Sequence, residues 1–208
     1  MKGIALTLLI FSSFILENYA SAQESTKNVS RVEKATLAGG CFWCLESAME
    51  KLSGVIEAIS GYTGGHIENP TYEEVCSGTT GHYEAVEVTF DPEKITYQEI
   101  LDAFWKSINP TDPSGQFNDR GPQYRTAIFY HNEKQKIIAE QSKEALEKSG
   151  RFSSPIVTKI LPAAAFYPAE EYHQDYYKKS RERYEIYHFH SGRDRFQERH
   201  RKESEAQK

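Results

Sequence analysis

A chain of 208 residues has room for one domain with a sizeable core and too little for two comfortable ones. Its 38% hydrophobic and 26% charged residues place it with soluble globular proteins and exclude a disordered body. A net charge of -5 leaves no basic surplus to neutralise phosphates, which excludes nucleic acid as the main partner. Thirteen tyrosines and eleven phenylalanines supply many aromatic rings, which line pockets as well as cores.

The chain begins with Lys2 and the apolar run "GIALTLLIFSSFIL", followed by "ENYASAQ". Ala20-Ser21-Ala22 is a small-residue cleavage site of the A-x-A kind, so residues 1–22 are read as a signal peptide cut after Ala22. A membrane anchor is the alternative, but the run is short for a bilayer span of ~20 residues. The expectation is an exported protein, periplasmic or secreted, with no stable membrane association. Residues 23–32 read as a flexible polar arm.

"EKATLAG" reads as a strand running into Gly39-Gly40. From Cys41 the spacing of Leu45, Ala48, Met49 and Leu52 predicts a helix that stops at Gly54. "VIEAISGYTGG" is the next strand, then comes a loop holding Tyr72 and Cys76. "YEAVEVTFDP" alternates as a half-buried strand does. Thr96 and Glu99 form a capping box ahead of "ILDAFWKSI", and "NPTDPSGQFNDRGP" is a loop by composition. "QYRTAIFYH" is a strand, Asn132 to Gly150 an amphipathic helix, and "PIVTKILP" a late strand. The order implies an α+β fold: a ferredoxin-like α/β sandwich over residues 33–190 with an added C-terminal helix and strand. Residues 191–208 form a charged tail, expected to be irregular and to fray, and His188 and His190 are expected to be solvated.

All three cysteines, Cys41, Cys44 and Cys76, follow the cleavage site, and an odd count in an oxidising compartment argues against a structural staple. Cys41 falls at a helix N-terminus, where free N–H groups and the helix dipole are expected to lower a thiol's pKa. Cys44 is one turn on, at ~5–6 Å between Cβ atoms, so a bridge to Cys41 needs local distortion and would be readily reduced. Zinc lacks a second ligand pair here. A thioredoxin-like oxidoreductase and a pair of buried thiols stay open on spacing alone.

"GGCFWCLE", "GYTGG", "NPTYEEVCSGTTGHYEAVEV", "FNDRGPQYRTAIFY" and "YPAEEYHQDYY", in this order, resemble peptide methionine sulfoxide reductase of the A type from about residue 33 to about residue 178. The resemblance implies reduction of methionine-S-sulfoxide, free or in proteins, with no metal or organic cofactor. It assigns the nucleophile to Cys41, the general acid to Glu84, and hydrogen bonds to the sulfoxide oxygen to Tyr72 and Tyr124. Phe42 and Trp43 become walls of a methyl pocket, and Asp119 helps to order it. No role is assigned to His82 or His173. The chain departs from relatives with resolving cysteines near the C-terminus, since none follows Cys76. Cys44 is therefore the expected resolving thiol, with Cys76 and an external thiol as alternatives. The resulting disulfide would be reduced by a thioredoxin-like donor, and a monomer is expected.

Overall fold

The computed structural model of the chain describes residues 32–206. The expected leader, its cleavage point and nearly all of the arm lie outside the described residues. Strand β1 (Glu33–Gly39) leads into helix α1 (Phe42–Met49) and then β2 (Val55–Thr63). A short α2 (Tyr72–Cys76) precedes β3 (Tyr83–Phe90), α3 (Tyr97–Ser107) and a hairpin of β4 (Gly115–Gln116) with β5 (Asp119–Arg120). A 3-10 turn (Pro122–Tyr124) leads to β6 (Thr126–Tyr130), α4 (Glu133–Lys148), β7 (Lys159–Pro162) and β8 (Phe166–Pro168). Helices α5 (Tyr176–Lys179), α6 (Arg181–Ser191) and α7 (Arg193–Ala206) follow.

Six strands form one mixed sheet in the order β7-β6-β1-β3-β2-β8. Only β6 and β7 run parallel; every other neighbouring pair is antiparallel. β3 lies between β1 and β2, the two strands that α1 connects, so the unit is a split β-α-β.

The two-residue period of β3 explains how the sheet positions chemistry. Val86, Val88 and Phe90 are fully buried in the larger core with Leu37, Leu45, Met49, Ile100 and Phe104 from β1, α1 and α3. Tyr83 and Ala85 point the other way, into a smaller cluster with Ala38, Ala127 and Phe129. Glu84 continues the row of Val86 and Val88, so a carboxyl stands where the core-facing pattern calls for an apolar residue. Removing a side chain such as Phe104 from that core costs about 3–5 kcal/mol.

Two glycines bring α1 to the end of β1. A Cβ on Gly39 would lie 2.9 Å from Ile108 Cγ2 and 3.3 Å from Leu45 Cδ2, so its absence lets α1 and α3 close on the strand. Gly40 takes φ +80°, and a Cβ there would lie 2.5 Å from Gln116. The chain thus turns sharply and presents Cys41 as the N-cap of α1.

The structure departs from the sequence reading at several elements. Residues Tyr72–Cys76 are helical rather than loop, because Thr71 and Glu74 form a complete capping box of the same kind as Thr96 and Glu99. The late strand is confined to Lys159–Pro162, and β8 pairs with β2 at the far edge. The expected irregular tail, residues 191–208, is instead helical from Arg193 to Ala206, and Ser191 and Arg193 within it are buried. His188 is half-buried, its Nδ1 3.2 Å from an Asp194 carboxylate oxygen, whereas His190 is exposed as expected. Among the described residues no helix is long and apolar enough to cross a membrane.

Candidate active site

Seven of the eight residues singled out by the sequence converge on one cavity of about 130 Å³: Cys41, Phe42, Trp43, Tyr72, Glu84, Asp119 and Tyr124. They come from the N-terminus of α1, the start of α2, the middle of the sheet, the β4–β5 hairpin and the 3-10 turn. Cys44 stands just behind Cys41, one turn into α1, and both thiols are buried. Cys76 is exposed. A larger hollow of about 720 Å³ lies between α3 and α4, lined by Gln98, Trp105 and Ser142 among others, and it contains no cysteine.

The backbone at the start of α1 explains the placement of Glu84. Helix N-termini leave N–H groups without intrahelical partners. The Phe42 N–H donates to Glu84 Oε2 at 3.1 Å, which tethers the carboxyl beside Cys41. Glu84 is 2% exposed. Burial pushes its pKa up to about 8, against the lowering effect of the Phe42 bond; the acidic Asp119 and Cys44 push it further up. The carboxyl is therefore protonated at neutral pH.

Cys41 does not follow the expectation of a depressed pKa. Burial raises it well above the ordinary thiol value, and hydrogen bonding and charge at Cys44, then the charges of Glu84 and Asp119, raise it further. Cys44 is shifted the other way, first by Cys41 and against its own burial, with Arg193 adding a lowering effect. The helix terminus favours an anion at Cys41, but this one is dry and faces acids, and among the described residues no lysine or arginine lines that cavity.

The tyrosines are held as donors. Burial raises the hydroxyl pKa of both Tyr72 and Tyr124 beyond the ordinary tyrosine range. Asp119, raised by burial, accepts a hydrogen bond from the Tyr187 hydroxyl at 2.6 Å. Tyr187 also lines the cavity and meets Trp43 edge-on at 5.9 Å between centroids. It lies beyond the stretch that carried the resemblance, and the sequence reading missed it. Its signal was the aromatic pair Tyr184 and Tyr187, three apart within a charged run.

Trp43 is fixed on two sides. Its ring stacks on Tyr176 at 3.9 Å, and its Nε1–H donates to His173 Nδ1 at 3.1 Å. Indole nitrogen only donates, so the imidazole proton of His173 resides on Nε2. His173 is buried and its ring also packs against Phe42 and Tyr72, so a residue given no role in the sequence reading supports three walls of the cavity. His82 is instead a loop clamp: Nδ1 accepts from the Gly65 N–H at 3.2 Å while Nε2 meets the Ile67 carbonyl at 2.7 Å.

Among the described residues one acidic trio, Glu46, Glu50 and Asp175, brings its oxygens together away from the cavity. The Lys178 ammonium already bridges two of them, at 2.6 Å from Glu50 and 2.8 Å from Asp175.

A family model described as peptide methionine sulfoxide reductase matches residues 33–205. The peptide methionine sulfoxide reductase MsrA of Bacillus licheniformis is 59% identical over 168 residues, covering 81% of this chain and 93% of that protein. The same enzyme of Halalkalibacterium halodurans is 57% identical over 170 residues, covering 82% and 97%. Among solved structures, methionine sulfoxide reductase A of Corynebacterium diphtheriae is 34% identical with a TM-score of 0.66, covering 74% of this chain and 77% of that one. Reduced Mxr1 of Saccharomyces cerevisiae is 31% identical with a TM-score of 0.69, covering 74% and 88%. Mxr1 has also been solved in complex with Trx2; at 24% identity and a TM-score of 0.51 that structure adds likeness of fold alone.

Proposed function

The chain belongs to the peptide methionine sulfoxide reductase family, and from that premise we propose how it reduces methionine sulfoxide and with which residues. The observation that carries the reading is a neutral carboxyl and a thiol sharing one small aromatic-walled cavity with two tyrosine hydroxyls. Removing oxygen from sulfur needs a proton donor for that oxygen, and a carboxyl held protonated near pH 7 beside the thiol supplies one.

Methionine-S-sulfoxide, free or in a protein, enters with its methyl group between Phe42 and Trp43 and its oxygen toward Tyr72, Tyr124 and Glu84. Cys41 sulfur attacks the sulfoxide sulfur as Glu84 gives its proton to the oxygen. Methionine leaves, the hydroxyl ends on Cys41 as a sulfenic acid, and the proton that Cys41 gives up restores Glu84. The raised pKa of Cys41 fits this coupling: the thiol ionises as the oxygen becomes a proton acceptor. Asp119, held by Tyr187, shapes the polar side of the cavity.

Cys44 then attacks Cys41 sulfur; a disulfide forms, the S–O bond breaks, and water leaves with the proton of Cys44. A thioredoxin-like dithiol returns both thiols, a class of donor inferred from the disulfide chemistry. The protein residues supply every step, and no metal or organic cofactor enters. The enzyme is read as a monomer. We also place it outside the cytoplasm, on the strength of the leader "GIALTLLIFSSFIL" and the site at Ala22.

The test supplies the two sulfoxide epimers of a methionine-containing peptide separately, with dithiothreitol as reductant. Many turnovers on the S epimer and none on the R epimer are expected. Thiol–disulfide exchange with no loss of sulfoxide would assign the chain a different chemistry.

A further inference from the structure

The indole N–H of Trp43 is satisfied from behind the cavity, by Nδ1 of His173 at 3.1 Å. A buried indole N–H needs an acceptor, and imidazole offers one only on the nitrogen that carries no proton. His173 is 1% exposed. Its other nitrogen, Nε2, has no hydrogen-bond partner among the described residues, and Oε2 of Glu170 stands 3.9 Å away. Burial lowers the His173 pKa from its ordinary value, against the opposing charges of Glu170 and Glu73. The ring is therefore neutral at pH 7, and Nδ1 keeps its lone pair.

The segment that carries His173 is itself fixed, residue by residue. Glu170 accepts from the Tyr62 hydroxyl on β2 and from the Tyr72 N–H on α2, each at 2.9 Å. Gln174 binds both backbone groups of Ser60 on β2, accepting from its N–H at 3.0 Å and donating to its carbonyl at 2.9 Å. Glu46 on α1 accepts from the Asp175 N–H at 2.7 Å, and Asp175 takes φ +55° there. Tyr176, next in the chain, stacks on Trp43 at 3.9 Å. Residues 170–176 thus form a bracket anchored on α1, β2 and α2. Trp43 meets it twice, with its face on Tyr176 and its N–H on His173.

The two contacts do different things. Stacking fixes the distance between two rings but leaves the in-plane direction of each free; a hydrogen bond fixes that direction. The His173 ring also packs at 5.0 Å from Phe42 and 4.5 Å from Tyr72, between centroids. Phe42, Trp43 and Tyr72 line the cavity, and His173 stands behind them. It touches the substrate space only through these walls.

We infer that His173 is a positioning residue that sets the size limit of the methyl pocket: by holding the Trp43 indole in one orientation, it fits the pocket to an S-methyl group and against a longer S-alkyl group. The role rests on the reading of Trp43 as a wall of that pocket. One methylene in an apolar pocket is worth about 10–200-fold in selectivity, and a wall free to move forfeits part of it.

The experiment has two arms. Isotope-labelled full-length protein without substrate is searched by nitrogen NMR for a coupling across the hydrogen bond from the Trp43 indole to a proton-free imidazole nitrogen. The coupling is expected, with the His173 proton on Nε2. Its absence, or a proton on Nδ1, would overturn the proposal, and that measurement needs no variant to fold. The second arm measures kcat/KM on the S epimers of methionine sulfoxide and of its S-ethyl homologue, with dithiothreitol as reductant. The ratio of the two does not depend on how much of a sample is folded. His173→Leu fills the space without an acceptor, and its methyl-over-ethyl ratio should fall about fivefold. His173→Asn places Oδ1 near the position of Nδ1 and should keep most of the ratio. An unchanged ratio in His173→Leu, or a fall that asparagine does not relieve, would overturn the role of His173. Trp43→Phe tests the reading beneath it: its ratio should fall too, and an unchanged ratio there would show that Trp43 is no methyl wall.

Discussion

Replacing Glu84 by Gln keeps the shape and a hydrogen-bond donor while removing a transferable proton. Glu84 has its pKa displaced from 4.5 to about 8, which at ~1.36 kcal/mol per pH unit corresponds to about 5 kcal/mol between its two protonation states. The sign follows from the direction. A folded value above the unfolded one gives stability that is fully present below pH 4.5 and lost as pH rises through about 8. Glutamine does not titrate, so the stability difference between wild type and Glu84→Gln should drift by about 5 kcal/mol in the variant's favour across that window. Glu46, whose pKa burial raises to about 7, titrates in both proteins and cancels in the difference. Urea unfolding at a series of pH values measures the drift. Single-turnover reduction should fall by about 10²–10⁴-fold in the variant, and in wild type it should decline as pH rises through about 8. A stability difference that stays flat from pH 4 to pH 9 would refute the claim that Glu84 is held neutral by burial. An undiminished chemical step would move the acid to Tyr72 or Tyr124.

Cys44→Ser should release about one equivalent of methionine per enzyme, accumulate a dimedone-reactive sulfenic acid, and lose turnover driven by a thioredoxin-like donor; Cys76→Ser should keep that turnover, and the reverse pattern would exchange their roles. Tyr187→Phe strips Asp119 of its 2.6 Å donor, and since a hydrogen bond to a charged group is worth ~1.5–3 kcal/mol, KM for the sulfoxide should rise about tenfold in steady-state kinetics. Thr71→Ala removes the cap of α2 and should cost about 1 kcal/mol in urea unfolding. Expressed with its leader in a Gram-negative host, the protein should begin at Gln23 by N-terminal sequencing; an intact Met1 would favour an anchored or uncleaved form.

The parts of this fold with regular periods were legible in the sequence. Val86, Val88 and Phe90 alternate as a strand does, and Thr96 with Glu99 marks the start of α3. The same capping signature at Thr71 and Glu74 went unread because α2 is only five residues long and has no apolar period of its own. Charge density hid the C-terminal helices, since a run of Arg and Glu resembles a solvated face whether or not Tyr187 and Arg193 dock. Both meet the β4–β5 hairpin, a partner some 70 residues away in sequence. The pKa of Cys41 failed for a related reason. The helix terminus is local and visible in sequence, whereas the desolvation and the acids that outweigh it arrive from β3 and β5. His173 carries no role in the sequence reading because its contact with Trp43 spans 130 residues.

The central claim is that Cys41 takes the oxygen from a methionine sulfoxide. Its most direct test is the methionine formed in one turnover, without reductant, by wild type and by Cys41→Ser, with the oxidised cysteine located by mass spectrometry. The account predicts about one equivalent of methionine and oxidation that includes Cys41 in wild type, and no methionine from Cys41→Ser, because a serine hydroxyl is not ionised at neutral pH and attacks sulfur poorly. Methionine released in comparable amount by Cys41→Ser would contradict it.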